Sequence, residues 1–346
     1  MKPLNSFAPD PSTTLHIIGR FDDPFTGAER GLLELEKMIA GRRPVQLWSS
    51  VPPHGFYAER GVRLVQPYMQ QFPKTGTLLI AGVHVTLGNW LKYARYQRVI
   101  LLYNLVSHER LFSMLQVLRG LTGCEPEVEF VSRALQLSAG LPGRVVNSFI
   151  DLEPFLALTR EPPGTGTFTV GRVSRDVAQK HHAQDFSLYR MLAAHGIRIR
   201  ILGGTCLAAG LAGTANVELL PAGAESAADF YRSLDVFFYR TGEVAEAYGR
   251  VVIEAMACGL AVVASDTGGY AEVIRHGVSG WLVQSQEEAY DTILDLQKQP
   301  ELAKQAGVAA RSDATSRHGK QANEAMLQSW LLSMGAAGES GAPTDS

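Results

Sequence analysis

The chain has 346 residues, a net charge of −2, and 46% hydrophobic against 19% charged residues. That length accommodates two domains of ordinary size, and the balance is that of a globular chain rather than a disordered or fibrous one. No apolar run approaches the roughly 20 residues that a bilayer crossing needs, and no dense basic-aromatic cluster argues for nucleic acid.

Residues 1–150 hold 16 Lys and Arg against 11 Asp and Glu, and the remainder holds 16 against 23. A basic first half suits an anionic partner, or reflects a chance excess of Arg on a solvated surface. Residues 1–14 are polar and broken by Pro, so no signal peptide is expected. Cys124, Cys206 and Cys258 lie far apart, without metal spacing, and read as reduced thiols of a cytoplasmic protein.

Apolar and β-branched runs predict strands at residues 14–21, 45–48, 62–65, 78–85, 99–103, 128–131 and 145–147. Helical spacing marks residues 28–40, 108–118 and 133–137. Residues 87–98 combine Trp90 with Lys92, Arg95 and Arg98 and read as a basic, aromatic helix. Such a helix either lies on an anionic membrane surface or covers a sheet with its charged face outward. A turn at residues 149–155 and the Pro/Gly stretch 161–166 mark a boundary.

A second alternation follows, with strands at 168–173, 197–202, 217–220, 236–239, 260–265 and 280–283. Helices are expected at 186–195, 227–234, from Gly249 to 257, at 270–275, 287–297, 301–310 and 322–334. Residues 335–346, rich in Gly, Ala and Ser, are expected to be disordered. Strands alternating with helices in both halves predict two doubly wound parallel sheets.

The most informative stretch is 246–283. Glu246 and Glu254 stand eight apart across a loop-to-helix junction whose flexible point is Gly249. A helix opening there leaves the N–H groups of Gly249, Arg250 and Val251 as an anion site. The run Glu246-Ala-Tyr248-Gly249, then Glu254-Ala-Met256-Ala257-Cys-Gly259, continues through Val-Val-Ala-Ser-Asp, Gly268-Gly269, Glu272-Val-Ile and Gly277-Xaa-Xaa-Gly280. This run resembles the signature of glycosyltransferase family 4, the retaining nucleotide-sugar transferases of GT-B fold. The plain alternative is an ordinary Rossmann-like αβ unit with two surface glutamates.

The resemblance implies two Rossmann-like domains facing a cleft: residues 1–155 on the acceptor side and 156–319 binding the nucleotide sugar. A C-terminal helix, 320–334, would pack back on the first domain. It implies that Glu246 orients the donor sugar and Glu254 binds ribose hydroxyls, while Tyr248, Gly249, Arg250 and Val251 surround the diphosphate. Arg172 and Lys180 would grip the diphosphate, with Ser174 beside them and Gly204 admitting the base. Lys180 follows Arg172 by eight residues rather than the family's usual five. Gly27, in the first-domain loop, would reach the donor. Where the family ends a strand with a His, this chain has Tyr103-Asn104, so Asn104 and His108 are the candidates for that role.

No Asp-Xaa-Asp and no metal-spaced cluster appears, so no metal and no cofactor are expected. The implied function is hexosyl transfer, mannosyl first, from a nucleoside diphosphate sugar to a glycan or polyprenyl-linked acceptor. A GDP-sugar is favoured over a UDP-sugar, in the manner of bacterial exopolysaccharide enzymes. The enzyme would work in the cytoplasm, with peripheral membrane contact open through residues 87–98. Two other readings are an inactive glycan-binding scaffold, supported by the missing His, and a sugar-nucleotide epimerase of the same fold.

Overall fold

The computed structural model describes residues 13–157 and 166–335, so the expected disordered tail beyond 335 and most of the Pro/Gly stretch lie outside the described residues. The chain divides into two units. The described part of the first lies within Met1–Val131, Gln136–Phe149 and Glu324–Ser346; that of the second lies within Ser132–Leu135 and Ile150–Asn323. No helix among the described residues is long and apolar enough to cross a membrane.

The first unit runs β1 (Leu15–Gly19), α1 (Gly27–Ile39), β2 (Val45–Ser49), α2 (Gly55–Ala58), β3 (Arg63–Leu64), β4 (Thr75–Ala81), β5 (Arg95–Tyr103), α3 (His108–Thr122), β6 (Glu127–Phe130), α4 (Arg133–Ala139, in this unit from Gln136 onward) and β7 (Arg144–Val145). Its seven strands are parallel in the order β3-β2-β1-β4-β5-β6-β7. Leu15, Ile17, Leu47 and Leu79 pack under Leu32, Leu35 and Ile39 of α1.

The second unit continues with α5 (Glu153–Leu156), β8 (Thr169–Val173), α6 (Asp185–Ala194), β9 (Arg198–Leu202), α7 (Ala208–Leu211), β10 (Val217–Leu220), α8 (Ala227–Arg232), β11 (Val236–Tyr239), α9 (Arg250–Ala257), β12 (Ala261–Ser265), β13 (Trp281–Val283), α10 (Gln286–Lys298) and α11 (Pro300–His318). Its six parallel strands run β10-β9-β8-β11-β12-β13. This is the doubly wound order that reverses between its first and fourth strands. Small residues let α11 pack closely on α9: a Cβ on Gly307 would sit 2.1 Å from the Gly259 carbonyl oxygen.

The last helix, α12 (Lys320–Gly335), enters the first unit from Glu324 onward. Leu327, Trp330 and Met334 complete the core that holds α1. Trp330 Nε1 donates to both oxygens of the buried Glu129 at 3.0 Å, and Arg144 pairs with the same carboxylate at 2.8 Å.

Several expected elements differ: the helix expected at 301–310 runs Pro300–His318, and a 3-10 turn, Gly269–Glu272, stands where a helix over 270–275 was expected. Residues 87–98 are not one helix: a short 3-10 turn, Asn89–Tyr93, buries Trp90 and Leu91, and β5 has begun by Arg95. Arg95 and Gln97 are exposed while Tyr96 is buried, a period of two that selects strand over helix. The single helix that both readings of this stretch assumed, at a membrane surface or over a sheet, is therefore not formed. β4 starts at Thr75 rather than 78, because Thr77 is buried with its hydroxyl accepting from Arg43 at 2.9 Å. It stops at Ala81 because Gly82 takes φ 91° and turns the chain.

Candidate functional site

In open parallel sheets, ligands bind outside the carboxyl ends of the strands where the order reverses. In the second unit that point lies between β8 and β11, which end near Arg172 and at Tyr239. The chain leaves β11, passes Glu246, and opens α9 at Gly249, which caps the helix at φ 84°. Only Gly fits: its conformation is left-handed, and a Cβ would lie 2.4 Å from the Tyr270 ring. Gly268-Gly269 folds directly against this loop, so a Cβ on Gly268 would meet the Glu246 carbonyl oxygen at 2.6 Å. Ser132 Oγ donates to the Ala247 carbonyl at 2.8 Å, and the Tyr248 hydroxyl lies 2.5 Å from His318 Nε2. The loop that carries Glu246 is thus held on several sides before any ligand arrives.

Glu246 is one-fifth exposed, and its Oε2 accepts from Lys180 Nζ at 2.9 Å and from the Tyr239 hydroxyl at 2.8 Å. Burial alone would raise its pKa. The Lys180 charge and hydrogen bond, the Tyr239 hydroxyl and the Gly249 N–H outweigh burial and hold the carboxyl below its ordinary value. The Tyr239 ring meets Tyr270 edge-on at 5.4 Å, and the Tyr270 hydroxyl bonds Ser265 Oγ at 2.6 Å. These contacts bring Lys180 and Glu246 together, although they are 66 positions apart.

Glu254 lies one turn inside α9, half-buried, with the Tyr231 hydroxyl 3.2 Å from its Oε2 and 3.0 Å from the Val251 carbonyl. Arg250 and Val251 form the first turn, whose N–H groups have no acceptor within the helix. On the β8 side, Ser174 Oγ lies 3.1 Å from His181 Nε2, which is 3.2 Å from the Gly203 carbonyl. Burial, with the Arg172 charge, pushes the His181 pKa down to about 4. A neutral ring can then donate from Nε2 to Gly203. Gly203, at φ 80°, turns the chain so tightly that a Cβ would lie 1.9 Å from the Ser174 carbonyl oxygen, and Gly204 follows it.

Arg172 departs from expectation. It is fully buried, its Cζ lies 4.5 Å over the Tyr239 ring, and its Nη1 donates to the Arg240 carbonyl at 2.8 Å. Its Nη2 donates to the Lys180 carbonyl. The guanidinium is committed to backbone under the site, where it fixes the segment that carries Lys180, and it does not present a fork to a phosphate.

Three expected residues lie in the first unit. Gly27 opens α1 after Thr26, and Asn104 directly follows β5 with its Oδ1 2.8 Å from where a Gly82 Cβ would stand. His108 opens α3 with Nε2 3.2 Å from Ser138 Oγ. Asn104 and His108 lie past the carboxyl end of their own strand.

Sequence reasoning missed Tyr239, Tyr270, His181 and His318. Tyr239 was legible as the last residue of a strand at the carboxyl edge, and His181 as the neighbour of Lys180. His318, 70 positions after Tyr248, gave no local signal. Among the described residues no group of three His, Cys, Asp or Glu side chains is placed to hold a metal ion.

The profile of the family described as Glycosyl transferases group 1 matches residues 161–313. D-inositol 3-phosphate glycosyltransferase of Streptomyces griseus is 41% identical over 98 residues, 28% of this chain and 20% of that protein. The protein of the same name from Mycobacterium bovis BCG is 30% identical over 184 residues, 48% of this chain and 37% of that protein. The chain thus spans well under half the length of these relatives. Among solved structures, Anabaena HepE in complex with UDP and glucose superposes with a TM-score of 0.72 at 16% identity, covering 93% of this chain and 99% of that one. Sucrose-phosphate synthase from Thermosynechococcus elongatus superposes at 0.70 and 15% identity, covering 94% and 100%. The two parallel-sheet α/β units match the fold of GT-B glycosyltransferase structures, and the sequence of residues 161–313 matches the Glycosyl transferases group 1 family.

Proposed function

We propose that the chain is a retaining hexosyltransferase that moves a sugar from a nucleoside diphosphate to a hydroxyl of a glycan or lipid-linked acceptor, without a metal ion. The observation that carries this reading is the Lys180–Glu246 pair, seated at the carboxyl edge of the sheet just before the mouth of α9. In this proposal the donor diphosphate faces Lys180 and the first turn of α9, where a cation and helix N–H groups meet an anion. Both are in place before charge develops on the leaving group; removing one such donor costs on the order of 10²–10³ in rate. Arg172 acts from below by gripping the Lys180 carbonyl. Glu246 is kept ionised, accepts hydrogen bonds from the donor sugar and opposes the positive charge growing at the anomeric carbon. Glu254 accepts from the ribose, oriented by Tyr231. Retention, with the leaving phosphate oxygen taking the acceptor proton on the same face, follows the family resemblance.

The donor is proposed to be a GDP-linked mannose, because Ser-Arg-Asp…Lys-His-His around Lys180 resembles mannosyl- and related hexosyltransferases. Anabaena HepE, whose solved structures contain UDP and glucose or UDP-glucose, makes UDP-glucose the competing donor. A thermal-shift panel of GDP-, UDP-, ADP- and dTDP-sugars in EDTA tests the reading, since a ligand of the native state raises the melting temperature. GDP-mannose should stabilise most, and Lys180→Ala should abolish the shift. No stabilisation by any member, or a shift that needs a divalent cation, would overturn the corresponding part.

A further inference from the structure

The first unit carries a cavity that the proposed reaction does not use. From Leu64 to Thr75 the chain passes from β3 to β4 through a loop and a short 3-10 turn rather than an α-helix, crossing β2 and β1 in the sheet order. Strand side chains alternate between faces. Leu15, Ile17 and Leu47 join the core under α1, so His16 and Trp48, at intervening positions, lie on the opposite face. A loop is thinner than the helix that would ordinarily cover such a face. A cavity of about 590 Å³ remains between it and the sheet, lined among others by His16, Trp48, Arg63, Gln71, Phe72 and Lys74.

The lining has a defined chemistry. Trp48 Nε1 donates to His16 Nδ1 at 3.1 Å. An indole N–H is only a donor, so the His16 proton resides on Nε2. Burial, with the Arg43 charge, pushes the His16 pKa down to about 4, and the ring stays neutral near pH 7. Gln71 is fixed by paired backbone bonds with Gln66 at 2.7 and 3.1 Å. Phe72 is braced against Trp90 at 5.7 Å and has the Lys74 ammonium 5.3 Å from its ring. Among the described residues neither Arg63 nor Lys74 forms an ion pair with a carboxylate.

We propose that this cavity binds an anionic sugar, a pyranose ring bearing one carboxylate or phosphate. Amide and imidazole groups exchange hydrogen bonds with ring hydroxyls, aromatic faces cover its C–H surface, and Arg63 and Lys74 take the anion. The volume lies in the range of small-ligand pockets.

Calorimetric titration of the full chain with D-glucuronate, glucose 6-phosphate and glucose tests this. At least one anionic sugar should bind saturably at one site, and its identity distinguishes carboxylate from phosphate as the group recognised. Glucose should bind about tenfold or more weaker. The Arg63→Ala, Lys74→Ala double variant changes only exposed side chains and should weaken binding about tenfold or more at unchanged melting temperature. Lys180→Ala should leave binding intact, which separates this cavity from the proposed donor site, and the Trp48 Nε1–H resonance should shift on binding. Absence of saturable binding by either anion, survival of binding in the double variant, or its loss in Lys180→Ala would overturn the proposal.

Discussion

The two units share one topology but bury their charges in different places. In the second, Arg172, Asp185 and Arg240 are buried beneath the carboxyl edge, with Arg240 Nε on Asp185 Oδ1 at 2.8 Å. In the first, Glu129 is buried under Arg144 and Trp330, where α12 is anchored. A buried charge is costly unless it is paired and hydrogen-bonded. Paired buried charge thus underlies the candidate site in one unit and fastens the terminal helix in the other. The comparison yields predictions that can be checked unit by unit.

The largest effect is expected from Trp330→Ala. It opens the core around α12 and removes one of the groups on Glu129, a loss of about 3–5 kcal/mol. Hydrogen exchange should show protection falling in β1–β5 and persisting in β8–β12. Equal loss in both units would mean that α12 is not a support of the first unit alone.

Gly249→Ala comes next. It combines a φ of 84° with a contact 2.4 Å from Tyr270, for about 2–4 kcal/mol. Exchange at the start of α9 should accelerate while the first unit stays unchanged. A variant of wild-type stability would show that the tight mouth of α9 is not required.

The effect that is smallest per unit change is a slope with pH. His181 and His318 in the second unit are pushed by burial to about 4 and about 3, and His16 in the first to about 4. Each is neutral when folded, whereas the unfolded His protonates near its ordinary value of 6.5. Stability is therefore complete above pH 6.5 and lost as pH falls, by up to about 1.4 kcal/mol per unit for each His. Both units should therefore weaken between pH 6.5 and 4, because burial and the Arg110 and Arg20 charges also lower His84 in the first. Stability flat over that range in either unit would contradict this assignment of buried neutral rings.

Much of the fold was legible because buried parallel strands are short apolar runs. Residues 217–220 and 236–239 coincide with β10 and β11. Legibility failed where polarity and structure part company: Thr75-Gly-Thr77 opens β4, and Arg95 to Arg98 belong to β5 although their composition suggested a helix. At the candidate site, Gly249, Glu254 and Gly268-Gly269 showed in local order. The Lys180–Glu246–Tyr239 contact did not, because the chain leaving β8 and the chain leaving β11 meet there only after the sheet forms. Arg172 carried the right motif and an unexpected orientation, since sequence does not reveal which way a long side chain turns at a strand end.

The central claim is that Glu246 and Glu254 meet different parts of one donor. Glu246 stands before the helix mouth, held by Lys180 and Tyr239, and Glu254 stands a turn inside beside Tyr231. Steady-state kinetics of Glu246→Gln and Glu254→Gln over a range of donor concentrations, with circular dichroism to confirm folding, test it most directly. A carboxylate that opposes charge growing in the transition state should show mainly in kcat when lost, and one that binds ribose uniformly should show mainly in KM. The account predicts a kcat lowered on the order of 10²–10³ for Glu246→Gln and a raised donor KM with little change in kcat for Glu254→Gln. Small, equal effects of both substitutions on both constants would contradict it.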